Sequence, residues 1–382
     1  MQTTISTRLL RYSRLVFLAI LTAGIFASCK KNNDVMDNSQ AVVENEQQAV
    51  AQAKQLERSA AADAQKEGAA LGFNNAGRKS SQQTIVDIAV SNPNFSTLVA
   101  AVLKTGLAGA LSSPAANLTV FAPTNTAFSK LPAPFNNAAN INSISDPAQI
   151  SFLKNVLLYH IVGAEVFSYQ VSNGSSSAAT LKPAGNSNDN TIYFSKTFGL
   201  IRVNGQSDVI WPNIDASNGV IHVINKVLIF PTNNIAEIAI GNPDFSTLVA
   251  ALVKTNLAGV FTGSGDFTVF APTNAAFAQL PAPFNNAANI NNISDPAQVA
   301  ALANILKYHV TANRNFTWDL GILKRTATLA GAPNNKITTI LGYNTGWVKG
   351  DNNNGYTQIL PGDILATNGV VHVIGKVLLP KN

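Results

Sequence analysis

The chain has 382 residues, 46% of them hydrophobic and only 12% charged, against about 25% charged in an ordinary soluble domain. Its net charge is +6, from 26 Lys and Arg against 20 Asp and Glu, with 4 His and a single Cys. One Cys excludes an intrachain disulfide framework and a Cys-rich metal site, and the apolar content excludes a wholly disordered chain.

Residues 1–28 read as a secretory signal peptide. Arg8, Arg11 and Arg14 form its basic segment and Leu15 to Leu21 its apolar core, which is too short to span a bilayer. These three Arg, with no acid among residues 1–28, carry half of the net +6. The remaining balance is modest, and no later run of Lys and Arg interleaves with aromatics, so nucleic acid is not an expected partner. Phe26-Ala27-Ser28-Cys29 resembles a bacterial lipobox. That resemblance implies cleavage before Cys29 and lipidation of its thiol; the competing reading is an ordinary signal with an incidental Cys. Residues 29–83 read as the lipid anchor followed by a stalk. The stretch from 40 to 70 is rich in the helix formers Ala, Gln, Glu and Lys, and 73–83 read as a flexible connection. The expected location is the cell envelope, lipid-anchored at the outer membrane, on its surface or periplasmic face.

The rest is one unit written twice. Ile88 to Ala101 recurs, with few changes, as Ile238 to Ala251, and Leu131 to Asn142 recurs unchanged as Leu280 to Asn291. Asn125 maps to Asn274 and His222 to His372 at a near-constant offset, so the copies are almost free of gaps. A period this long means two complete domains rather than a solenoid. They are placed at 84–232 and 233–382, joined near Pro231-Thr232-Asn233 by a linker short enough that the domains should touch.

Within a copy, Phe95, Leu98, Val99 and Val102 fall at helical spacing. Leu118 to Ala122 reads as a buried strand ended by Pro123, and Asn125 to Leu131 as a helix capped by Thr124 or Asn125. Ile150 to His160 is an amphipathic helix. Ile192 to Phe194, Leu200 to Val203, and Val220 to Ile224 after the Asn218-Gly219 turn read as strands. Helices come early and strands late, so the fold class is α+β.

Three blocks per copy carry a family resemblance. They are Thr119 to Phe128 (again Thr268 to Phe277), Leu157-Leu158-Tyr159-His160 (again Leu306-Lys307-Tyr308-His309), and Asn218 to Leu228 (again Asn368 to Leu378). In this order they resemble the signature blocks and Tyr-His pair of the fasciclin (FAS1) domain. The resemblance implies two tandem FAS1 domains, each a β wedge of about seven strands packed with several α-helices, after the N-terminal helical stalk. It further implies an adhesion or extracellular-matrix role through protein or glycan partners, with no catalytic chemistry or cofactor. The alternative is a carrier or sensor of a small apolar ligand held in a pocket between helices and sheet.

All four His, His160, His222, His309 and His372, lie in these blocks. Two per copy suggest metal binding or general-base work, but zinc needs three or four protein ligands, and neither a Cys nor an acidic cluster accompanies the pair. Core residues bonded to backbone are the preferred reading, and neither an enzyme nor a metal site is expected. Asn125, Asn274, His222, His372, Gly219 and Gly369 are taken as structural motif positions, with the glycines supplying turn geometry. Asp363-Ile364 in the second copy matches an Asp-Ile pair that, with the region around Tyr-His, is implicated in integrin contact in animal FAS1 domains; the first copy has Asn213-Ile214. The resemblance makes Asp363, Ile364, Tyr308, His309, Tyr159 and His160 a candidate partner-binding face. A capping role for Asp363 is the competing reading.

Overall fold

The computed structural model describes residues 82–381 except 186–187, 198, 264, 332, 334, 342–345 and 361. The expected signal peptide, the lipidated Cys29 and the stalk up to residue 81 lie outside the described residues.

Each half opens with helices and closes with strands. The first half has α1 (Ile85–Ser91), α2 (Ser96–Lys104), α3 (Ala108–Leu111), α4 (Asn125–Phe128), α5 (Ala138–Ser143) and α6 (Pro147–Tyr159). Its strands are β1 (Leu118–Pro123), β2 (Ile161–Val162), β3 (Gly174–Ala179), β4 (Thr191–Thr197), β5 (Leu200–Val203), β6 (Ser207–Ala216) and β7 (Gly219–Ile224). The second half repeats all the helices but α3 as α7 (Ile235–Ile240), α8 (Ser246–Lys254), α9 (Asn274–Phe277), α10 (Ala287–Asn291) and α11 (Pro296–Tyr308), with a 3-10 turn at Ala258–Phe261 in place of α3. Its strands are β8 (Phe267–Pro272), β9 (Val310–Ala312), β10 (Ile322–Ala327), β11 (Lys336–Leu341), β12 (Gly346–Gly350), β13 (Thr357–Gln358), β14 (Ile364–Ala366) and β15 (Gly369–Ile374).

Local chemistry sets the helix ends. Thr84 caps α1 in a capping box with Asp87, and Asn234 caps α7 with Glu237 in the same way. The helix expected to start at Ile150 starts earlier, because Asp146 accepts the Ala148 N–H and Pro147 occupies the first turn, where it needs no donor. The helix expected over Asn125 to Leu131 ends at Phe128. Pro132 follows, and a residue before proline is pushed out of the α region.

In the first half β2-β1-β7-β6-β5-β4-β3 form one seven-stranded sheet, antiparallel except for the parallel β1–β7 pair. The second half forms two four-stranded sheets, β14-β15-β8-β9 and β10-β11-β12-β13. The path of β6 is interrupted there into β13 and β14, with a bridge between Ile359 and Ile374 holding the two sheets in line. The result is two α+β domains, each a nearly closed β wedge with helices on one side. Each wedge has two cores. Helices α1, α2 and α6, with the turn before α2, pack Ile85, Phe95, Leu98, Ala101, Leu153 and Leu157 against Val120, Ile221 and Val223 of the central strands. Inside the curled end of the sheet, Tyr159 packs with Phe121, Ile192, Val203 and Ile224. Tyr308, Phe270, Ile337, Val348 and Ile374 repeat that inner core.

Candidate functional site

The four His are locked to backbone on both ring nitrogens. His160 Nε2 accepts the Leu228 N–H at 2.9 Å, so Nδ1 carries the proton and donates to Val156 O at 2.7 Å. His309 repeats this with Leu378 and Ile305, both at 2.8 Å. His222 has the opposite tautomer: Nδ1 accepts the Asn213 N–H at 3.1 Å and Nε2 donates to Val166 O at 2.8 Å. His372 does the same with Asp363 N–H and Asn315 O, at 3.1 and 2.9 Å. Burial pushes His160, His222 and His309 down to about 4, and backbone acceptors recover only part of this. His372 is also pushed down by burial, opposed by Asp363 and Asn315. All four are therefore neutral at pH 7, with no lone pair left for a metal or a substrate proton. Among the described residues no group of three or more His, Cys, Asp or Glu could hold a metal ion.

The remaining motif side chains tie elements together. Tyr159 OH donates to Thr191 O at 2.7 Å and accepts from Asn204 Nδ2 at 3.0 Å, which pins the end of α6 to the β4–β5 hairpin. Tyr308 does so through Lys336 O and the Asp351 N–H. Asn125 accepts the Thr97 N–H and donates to Pro93 O and Ser96 Oγ, and Asn274 repeats all three bonds with Thr247, Pro243 and Ser246. Gly219 and Gly369 open β7 and β15 where a Cβ would lie 2.1 Å from Leu118 O and 2.2 Å from Phe267 O, so only glycine lets the parallel strands meet.

The candidate partner-binding face is not a solvent surface. Tyr159 and Tyr308 are fully buried, His160 and His309 nearly so, Asp363 is buried, and Ile364 is half-buried in β14. The reason is the inward curl of the sheet, which encloses the C-terminal ends of α6 and α11. Asp363 is a cap. It sits at φ 61°, accepts the Thr317 N–H at 2.8 Å through Oδ1, and takes the Thr317 hydroxyl at 2.6 Å through Oδ2. Asn213, its counterpart, sits at φ 62°, accepts the Ser168 N–H and donates to Ser168 Oγ, both at 2.8 Å. Asn and Asp share this role because both tolerate left-handed backbone and both offer an oxygen acceptor.

These caps present a short aromatic turn, Phe167-Ser168-Tyr169 in the first half and Phe316-Thr317-Trp318 in the second. The arm leading to it is held by Thr119, whose hydroxyl donates to Ala164 O and accepts the Val166 N–H; Thr268 repeats this with Asn313 and Asn315. His222 and His372 grip the same arm at Val166 and Asn315. The two copies of the turn meet opposite fates. Phe316 is 1% and Trp318 6% exposed, whereas Tyr169 is 73% exposed and stacks on half-buried Phe167 with ring centroids 5.4 Å apart.

A fasciclin domain model matches residues 93–230 and again 243–380. The chain belongs to the fasciclin family. It is 31% identical over 267 residues to transforming growth factor-beta-induced protein ig-h3 of Sus scrofa, a match that covers 69% of this chain and 35% of that protein. The chain thus spans about a third of the length of that relative. It is 41% identical over 151 residues to protein sll1483 of Synechocystis, covering 76% of that shorter protein. Among solved structures, a FAS1 domain pair from the insect cell adhesion molecule fasciclin I matches with a TM-score of 0.34 at 15% identity, over 76% of this chain and 98% of that one.

The buried turn clamps the two fasciclin domains together. Arg202 of the first domain lies over the Trp318 ring at 4.1 Å, and Arg314 of the second lies over Tyr193 at 4.3 Å. Each contact of this kind contributes about 0.5–2 kcal/mol. Ser195 donates to Asp319 Oδ2 at 3.0 Å and Gln206 Nε2 to Asp363 O at 2.7 Å. Burial raises the Asp319 carboxyl above its ordinary value, with the bonds from Phe316 and Ser195 opposing. Arg202 and Arg314 also keep carboxylate partners, Asp208 at 2.6 Å and Asp266 at 2.7 Å, so neither guanidinium is buried unpaired. Sequence reasoning missed this turn. Its signal was an aromatic-x-aromatic triplet at matching positions of both copies, flanking Ser or Thr.

Each fasciclin domain also has an apolar cleft open to solvent between its first two helices and the sheet. One, of about 50 Å³, is lined by Ile85, Ala89, Leu98, Val102 and Leu157, and its twin, of about 30 Å³, by Ile235, Ala239, Leu248, Leu252 and Leu306.

Proposed function

We propose that this chain is an exported, lipid-anchored adhesion or matrix-interaction protein of the cell envelope that binds protein or glycan partners through its fasciclin domains. The observation that carries this reading is the exposed Phe167–Tyr169 turn. Its twin in the same chain is a working protein contact, and the free copy is held in place by the same Thr, His and Asn bonds. A pre-positioned aromatic with an open face is the kind of residue that anchors a protein contact or stacks on a sugar ring. Motif groups that could do chemistry are spent on the scaffold, which fits a binding role. The signal-like segment and Cys29 support display on the envelope, and the resemblance of the Phe26 to Cys29 stretch to a lipobox supports anchoring.

The test is to express the chain in its full length on cells and compare it with Tyr169→Ala. Protease treatment of intact cells should remove the protein, and the variant should lose most of the attachment to neighbouring cells or matrix while remaining folded and anchored. Full protection from protease, or attachment unchanged by the substitution, overturns the reading. A second reading, a carrier of small apolar ligands, would use the twin apolar clefts, which would have to widen to admit a ligand. A fluorescent fatty acid that binds the purified chain at two equivalent sites would support it, and absence of binding would exclude it.

A further inference from the structure

We propose that the free aromatic turn of the first domain docks on the second domain of another copy of this chain, so that copies associate head to tail. This rests on the reading of Phe167–Tyr169 as a contact element and names its partner. The template is the contact between the two domains of one chain, where the turn of the second domain lies on the outer face of the β4–β5 hairpin of the first. The β11–β12 hairpin is the counterpart in the second domain. Strand register equates Tyr193 with Thr338, Arg202 with Trp347 and Asn204 with Lys349, since Phe194 pairs with Val203 as Thr339 pairs with Val348. Thr338, Trp347 and Lys349 are half-exposed on this face, while Ile340 between them is already buried within the chain.

The substitutions between the two copies are complementary. Arg314, which lies over Tyr193 within the chain, is replaced on the free turn's arm by Glu165. The face it would meet carries Lys349, the cross-strand partner of Thr338. Among the described residues neither Glu165 nor Lys349 makes an ion pair. Trp318, which packs under Arg202, is replaced by Tyr169, and the position facing it carries Trp347. An Arg-on-Tyr and Trp-on-Arg contact thus becomes Glu-to-Lys and Tyr-on-Trp. The Ser195–Asp319 bond has no counterpart, because Ile340 replaces Ser195, so the contact between copies is weaker than the one within a chain. A contact between two different surfaces does not close on itself in a dimer; it continues into a ring or an open chain. Anchored copies on one membrane, or on two facing ones, would bind through many such weak links at once.

Sedimentation of the purified full-length chain over a concentration series tests this. The wild type should show a rising average mass that passes beyond dimer. Tyr169→Ala, a change at an exposed side chain, and Glu165→Lys should each weaken association by about tenfold or more. Lys349→Glu should do the same, while an equimolar mixture of Glu165→Lys and Lys349→Glu should associate again, because each variant's turn then meets an oppositely charged face. A wild type that stays monomeric, or a mixture that associates no better than its components, overturns the proposal. If the wild type is monomeric and Tyr169→Ala still abolishes cell attachment, the turn is a contact element for a foreign partner and only the self-association falls.

Discussion

Asp363 holds Thr317 twice, by its backbone N–H at 2.8 Å and by its hydroxyl at 2.6 Å, in the same left-handed conformation from which Asn213 holds Ser168. The pair fixes the turn that carries Trp318 into the first domain. Asp363→Asn should therefore cost less than about 1 kcal/mol, because the amide can reproduce the Asn213 pattern. Asp363→Ala should cost about 2–4 kcal/mol, since it leaves a buried N–H unpaired and puts a residue with no side-chain acceptor at positive φ. Urea unfolding of the two variants measures both. If Asp363→Ala keeps wild-type stability and loses attachment instead, the carboxylate is a contact group rather than a cap.

Gly219→Ala and Gly369→Ala should each prevent their own domain from folding. The added methyl would stand 2.1 or 2.2 Å from a backbone carbonyl of the neighbouring parallel strand, and backbone cannot move aside as a side chain can. The cost should exceed about 4 kcal/mol, a large share of a domain's stability. Circular dichroism should show about half of the native sheet signal in either variant, and a native melt in either one would refute the steric account.

Duplication makes much of this architecture legible in the sequence. A motif copied twice cannot be chance, and helices before strands already define the class. The histidines were legible too, because their number and lack of acidic neighbours left no ligand set. Depth was not. Tyr159-His160 and Tyr308-His309 end amphipathic helices, and nothing local says that the sheet curls over those ends. For Asp363 the sequence left a contact role and a capping role open, because its burial comes from two long-range partners, Thr317 and Gln206, and the second belongs to the other domain. The aromatic turn was hidden for the same reason. Its meaning lies in the difference between a copy that is covered and one that is not, and burial by a neighbouring domain leaves no periodic trace.

The clamp predicts how the domains unfold. Trp318→Ala removes the ring on which Arg202 lies and opens a void at the contact, but touches neither of the main cores. Both domains should keep their folds, while a single cooperative heat-absorption peak separates into two as the coupling between them drops by about 3–5 kcal/mol. Arg202 remains paired with Asp208, so no unpaired charge complicates the result. An unchanged single peak in calorimetry would mean that other contacts couple the domains.

The buried histidines predict acid sensitivity with a definite sign. His160, His222 and His309 stand at about 4 in the folded chain against an ordinary 6.5, and His372 is lowered as well. Between those values the unfolded chain binds protons that the folded chain refuses, so stability is intact above about pH 6.5 and is lost as pH falls toward 4. Each histidine contributes a slope of up to about 1.4 kcal/mol per pH unit, and each domain carries two, for a combined slope of up to about 3 kcal/mol per unit. Asp319, raised by burial, acts in the opposite sense at the acid end, but it is one group against four. The urea midpoint should be level from pH 8 to 7, fall below 6.5, and fall most steeply between 6 and 4. Imidazole proton resonances should show no titration in the folded chain down to the pH at which it unfolds. A midpoint that stays level from pH 7 to 5 would contradict the neutral, backbone-locked histidines.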